Sequence, residues 1–158
     1  MGISLKTLLH IETMWDSIIE VLQVVHDEER NPSRAGGLVP TMESFSFVFI
    51  MKMMLQILHI TNELSHLLQK KDQNIVEAMS LVIDMKTRLN NLRNEGYKPL
   101  LEEVKTFCQE NDIPIPNMED SVPRFGRSRK GGRNNITQDH YFRVDTFFAT
   151  IGCYHNRV

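Results

Sequence analysis

Apolar residues recur along most of this chain at alternating steps of three and four, the period of an amphipathic helix. In the first stretch Leu8, Ile11, Trp15, Ile18, Leu22 and Val25 form one seam, widened by Ile19 and Val21, and predict a helix from about Ser4 to Glu29. Asn31, Pro32, Gly36, Gly37 and Pro40 then predict a loop, since proline and glycine interrupt helices. A second helix is expected after Thr41, a good N-cap, with Glu43 favoured in its first turn by the helix dipole. Its seam is Phe47, Ile50, Met54, Ile57, Thr61, Leu64 and Leu68, while Val48, Met51, Leu55 and Leu58 cover another face. From Phe45 to Ile60 it is apolar nearly all round, which places it at the centre of a core or in a membrane. Lys52, Gln56 and His59 interrupt the run short of the roughly 20 apolar residues of a membrane span, so the core reading is preferred and no membrane partner is expected.

A break near Lys70-Lys71-Asp72 precedes a third helix, capped by Asp72, with Val76, Met79, Ile83, Leu89 and Leu92 as its stripe. Gly96 sits where a left-handed C-terminal cap is expected, and Pro99 suits the first turn of a fourth helix. Leu100, Leu101, Val104, Phe107 and Cys108 supply that helix's buried face, and it frays by Asn111. Ile113-Pro114-Ile115-Pro116 cannot continue it, because proline lacks an amide proton and restricts its predecessor. A polar stretch follows, and a last helix from Asp139 carries Tyr141, Val144, Phe148 and Ile151 at helical spacing. The expected fold is all-α. It comprises an irregular bundle of about four helices over residues 1–112, an acidic-to-basic flexible linker over 113–138, and a short C-terminal helix and tail over 139–158.

Composition changes this picture little: 158 residues, 41% of them hydrophobic, suffice for one sizeable core. Charge changes it more. The net value of −2 carries no whole-chain signal for nucleic acid, but residues 95–120 hold seven acids against Lys98 and Lys105. Residues 124–133 then hold Arg124, Arg127, Arg129, Lys130 and Arg133 with no acid. This tract is the strongest site candidate. Each arginine can grip a phosphate through two hydrogen bonds, the glycines free the backbone, and Phe125 can stack on an unpaired base. A nuclear-targeting signal and a merely solvated loop fit the same residues. Cys108 and Cys153 lie far apart with no metal-ligand spacing, which suits a reducing, nuclear or cytoplasmic setting.

Other chemistry is thinly represented. His59 and His66 are seven apart and lack a third ligand, so no metal or cofactor is expected. No glycine-rich phosphate loop, GxSxG or HExxH occurs, and the carboxylates lie on polar faces, so no catalytic residue and no small-molecule substrate are expected. Met51, Met53 and Met54 read first as core. Methionine also suits adaptable binding surfaces, and with Phe47 and Phe49 the residues Met51 and Met54 form a candidate interaction surface.

One resemblance adds to this. Ser44-Phe45-Ser46-Phe47-Val48-Phe49-Ile50, then Ile60-Thr61-Asn62-Glu63-Leu64-Ser65, then Gln69 to Met79, and finally His140-Tyr141-Phe142-Arg143-Val144 follow in an order that resembles the helical insertion of hAT-type transposases. The likeness is greatest to the plant zinc finger MYM-type protein 1-like group and runs from about Ser44 to Phe148. In that family the insertion separates two of three metal-binding acids of a ribonuclease H-like core. The resemblance therefore implies a truncated, transposase-derived helical module without the catalytic acids, not an enzyme, whose partners are nucleic acid, a transposase-like protein or a second copy of itself. A pure protein-interaction bundle, or a remnant with no selected function, is the alternative. The tail from Gly152 to Val158 departs from the family pattern.

Overall fold

The computed structural model describes residues 4–28, 35–69, 74–122 and 136–155, and these form an all-α, irregular helical bundle. The expected first helix is two: α1 (Leu5–Thr13) and α2 (Trp15–Glu28). No proline or glycine marks the break. Instead the Thr13 hydroxyl donates to the carbonyls of Leu9 (2.9 Å) and His10, a local bond that competes with the helix ladder and bends it at Met14. Trp15 is buried beside the break, but Val21 is largely exposed, so the buried face of α2 is narrower than its sequence suggests.

The glycine- and proline-rich stretch is also helical from Ala35, as α3 (Ala35–Met42), with Pro40 inside it. Pro40 forfeits one ladder bond, while Thr41 adds one by donating its hydroxyl to the Gly37 carbonyl at 2.7 Å. Packing against α2 holds this short helix in place. Thr41 is thus inside α3, and Ser44 is the cap of α4 (Phe45–Leu68): its hydroxyl accepts from the Phe47 amide at 3.2 Å and donates to the Thr41 carbonyl at 2.6 Å.

Helix α4 is central, as expected, and packs against α1, α3, α5 (Ile75–Glu95) and α6 (Tyr97–Glu110). Its segment Phe45–His66 is long and apolar enough to cross a membrane. Here it buries Phe45, Val48, Phe49, Met51, Met53 and Ile57 inside the bundle, while Ile50 stays exposed. Asn74, not Asp72, caps α5, accepting from the Val76 amide at 3.2 Å; Asp72 itself lies outside the described residues. Gly96 is not left-handed: its φ is −77° and ψ −18°. It joins α5 to α6 where an added Cβ would lie 2.5 Å from the Leu92 carbonyl oxygen, so close approach, not handedness, requires glycine. The buried face of α6 is the one its sequence predicts.

The C-terminal part departs furthest from expectation. Ile113 is buried, and the described ends of the expected linker are fixed rather than free. β1 (Ser121–Val122) pairs antiparallel with β2 (Ile136–Thr137), placing Val122 opposite Ile136. Two further bonds, from the Gln138 amide to the Asp120 carbonyl (2.8 Å) and from the Asp139 amide to the Met118 carbonyl (3.0 Å), extend this neck. The last helix runs through α7 (Gln138–His140), a π-helical stretch (Tyr141–Phe148) and α8 (Ala149–His155). The wider π turn changes the register. Phe142, Phe147 and Ile151 are buried, not the expected set Tyr141, Val144, Phe148 and Ile151. This helix is no appendage. Phe142 lies 4.9 Å from Phe49 and 5.1 Å from Phe45 between ring centroids, and Phe147 5.7 Å from Tyr97, so its aromatics complete the core.

Candidate functional site

Three places among the described residues stand out: a cleft beside a buried lysine, the neck at the C-terminal end, and one exposed apolar helix face.

The cleft is built around Lys52, which is only 7% exposed on the otherwise apolar α4. An ammonium is tolerated there because carboxylates arrive from two other helices. Glu12 of α1 and Glu103 of α6, the latter at 3.0 Å, both bind Nζ. The ammonium also lies 5.0 Å from the centroid of the Phe107 ring, a cation–π distance. Gln56 donates from Nε2 to the second oxygen of Glu103 at 3.2 Å. Burial pushes the lysine's proton affinity down, but the hydrogen bonds and charges of Glu12 and Glu103 more than offset this, and its pKa stands above the ordinary 10.5. Beside this group opens a cleft of about 370 Å³ with walls of Leu5 and Leu9 from α1, Leu55 and Ile60 from α4, and Leu92 from α5; His59 lies at its rim.

Sequence reading treated Lys52, Gln56 and His59 only as interruptions. Their four-then-three spacing puts them on one stripe of α4, and that polar stripe on an apolar helix was the available signal. The partners Glu12 and Glu103 carried no signal of their own, being forty or more positions away in sequence.

No family model, curated protein or solved structure matches this chain. Its chemistry therefore rests on the residues themselves.

The sequence-predicted residues distribute as follows. Arg124, Phe125, Arg127, Arg129, Lys130 and Arg133 lie outside the described residues, but the β1–β2 neck brackets the segment that carries them. Of the candidate interaction surface, Phe49 and Met51 are buried in the core and present nothing to a partner. Phe47 and Met54 are half-buried and pack against that core, Phe47 with its ring 6.1 Å from Trp15. Among the described residues the most exposed apolar stripe is elsewhere, on the first turns of α5, where Ile75, Val76, Met79 and Ile83 are 75%, 67%, 62% and 63% exposed. Sequence counted Val76, Met79, Ile83, Leu89 and Leu92 as one buried stripe. Of these Leu89 is buried and Leu92 packs partly buried against the core, with Met85 buried one turn before Leu89, because α5 meets the other helices with its C-terminal half. Among the described residues no cluster of His, Cys, Asp and Glu could hold a metal ion.

Proposed function

We propose that this chain is a non-catalytic helical module that contacts nucleic-acid phosphates through the basic tract Arg124–Arg133, carried on a rigid bundle. The observation that supports this most is the neck. The tract leaves the bundle at Val122 and returns at Ile136, and those two residues are paired. The segment with five positive charges and no intervening acid is therefore tied to the bundle at a single place, just before the last helix. Phosphate contacts of this kind are read out by salt. Affinity for a DNA duplex is expected to fall steeply as salt rises from about 50 to 200 mM. Replacing Arg127, Arg129 and Lys130 by Gln is expected to weaken binding to all sequences alike and to lower the salt slope by about one unit per residue. Unchanged affinity in the triple variant would return the tract to the targeting or solvated reading.

A second reading, a protein-interaction bundle, is favoured by the exposed stripe on α5. Four large apolar side chains aligned on one helix face are more than single surface hydrophobics, and such patches commonly mark contacts between proteins. A second copy of the chain, offering the same stripe, is the simplest partner.

A further inference from the structure

We propose that the cleft beside Lys52 is a binding site for a small molecule with an apolar body and a single cationic head, such as a protonated alkylamine. The volume, about 370 Å³, falls within the range of about 300–1,000 Å³ typical of small-molecule sites. Its walls are leucine and isoleucine, which select an apolar body. Its polar end selects the head. Two carboxylates face one ammonium, so the group carries a formal charge of −1. The ammonium is already engaged: two of its donors meet Glu12 and Glu103, and the Phe107 ring covers another side. It has little to offer an anion. The carboxylates have capacity left. Each oxygen of Glu103 already accepts one hydrogen bond, from Lys52 or Gln56, whereas the second oxygen of Glu12 has no hydrogen-bond partner among the described residues, and the Glu12 side chain keeps 26% of its surface open. An acceptor without a donor, at the end of an apolar cleft and in a net negative group, fits a cation whose tail lies along Leu9, Leu55 and Leu92.

Three six-carbon probes with different head groups, hexanoate having a tail one methylene shorter and so about four-fold weaker on that account alone, separate this from adventitious binding. Hexylammonium, 1-hexanol and hexanoate are titrated into ¹⁵N-labelled protein, and amide shifts are followed. Hexylammonium is expected to saturate, with shifts on α1, α4 and α6 around the cleft, and to bind at least ten-fold more tightly than hexanoate, with hexanol between them. Glu12→Gln, which makes the group neutral, is expected to weaken hexylammonium at least five-fold and leave hexanol unchanged. Leu9→Trp, which fills the cleft, is expected to remove all three. Equal affinity for the cation and the anion, no saturable shift, or shifts mapping away from the cleft would overturn the proposal. Should Glu12→Gln fail to fold, the preference of the unmodified protein for the ammonium over the carboxylate decides the matter alone.

Discussion

Lys52 sits on the central helix of the bundle and is held by charges from two others, so its loss is felt in three elements at once. Lys52→Ala leaves Glu12 and Glu103 facing each other and removes both the ammonium over Phe107 and the buried aliphatic stem that carries it. Both carboxylates retain some solvent, so the cost belongs at or below the low end of the range for broken buried pairs, about 2–3 kcal/mol. Lys52→Met, which keeps the stem, is expected to cost clearly less; urea denaturation compares the two. A second residue-scale prediction concerns alkali. Burial raises the Cys108 thiol from 9.0 to about 11. Between those values the unfolded chain has lost a proton that the folded chain keeps, so stability is intact below pH 9 and falls across that window, by about 2 kcal/mol if fully realised. Tyr97, raised first by burial and then by donating its hydroxyl to Asp139 at 2.8 Å, adds to the loss above 10.0, and Lys52 adds above 10.5. Urea midpoints measured from pH 8 to 11 should show the decline, and Cys108→Ala should lack its first part. The same burial separates the thiols kinetically: Cys153 is exposed and should react at once with a thiol reagent, Cys108 only on unfolding.

At the scale of elements, helix existence was legible wherever an apolar seam ran uninterrupted, as in α4 and α6. Junctions were not, because they turn on one or two local bonds that periodicity does not register. The Thr13 back-bonds that end α1, the Ser44 cap of α4 and the helical fate of Gly36, Gly37 and Pro40 are all of this kind. The π turn is harder still. It shifts the buried set to Phe142, Phe147 and Ile151, and three-four counting cannot find a five-residue step. The lysine cleft was illegible for a different reason: its charges come together only through tertiary packing, across α1, α4 and α6. Gly96 tests the junction argument. Because a Cβ there meets the backbone of Leu92 one turn back in α5 rather than a movable side-chain tip alone, Gly96→Ala should disrupt the last turn of α5, where the Gly96 amide bonds the Leu92 carbonyl at 2.8 Å. A loss of about 1–3 kcal/mol, typical of overpacking, is expected in thermal or urea melts despite alanine's better helix propensity.

On the scale of the whole molecule, the bundle covers most of its central helix and leaves its most exposed apolar stripe, among the described residues, on the first turns of α5. Association between copies should therefore run through Ile75, Met79 and Ile83 and not through α4. Light scattering at micromolar to hundred-micromolar concentration should show growth in mass that Met79→Glu with Ile83→Lys abolishes. Those side chains are mostly exposed, so the variant's melting temperature should stay within a few degrees of the parent's. A strictly monomeric parent would remove the second functional reading.

Seen from its core, the bundle treats its own last helix much as a receptor treats a ligand. Phe142, Phe147 and Ile151 fill a site made by Phe45, Phe49 and Tyr97, and being part of the same chain keeps that ligand at high local concentration. A peptide of residues 136–155 supplied separately should then find the remainder of the chain and restore its melting transition in trans. The corollary is that any partner gripping the basic tract pulls on both ends of this internal complex at once, so binding there would register as a change in how firmly the core is closed.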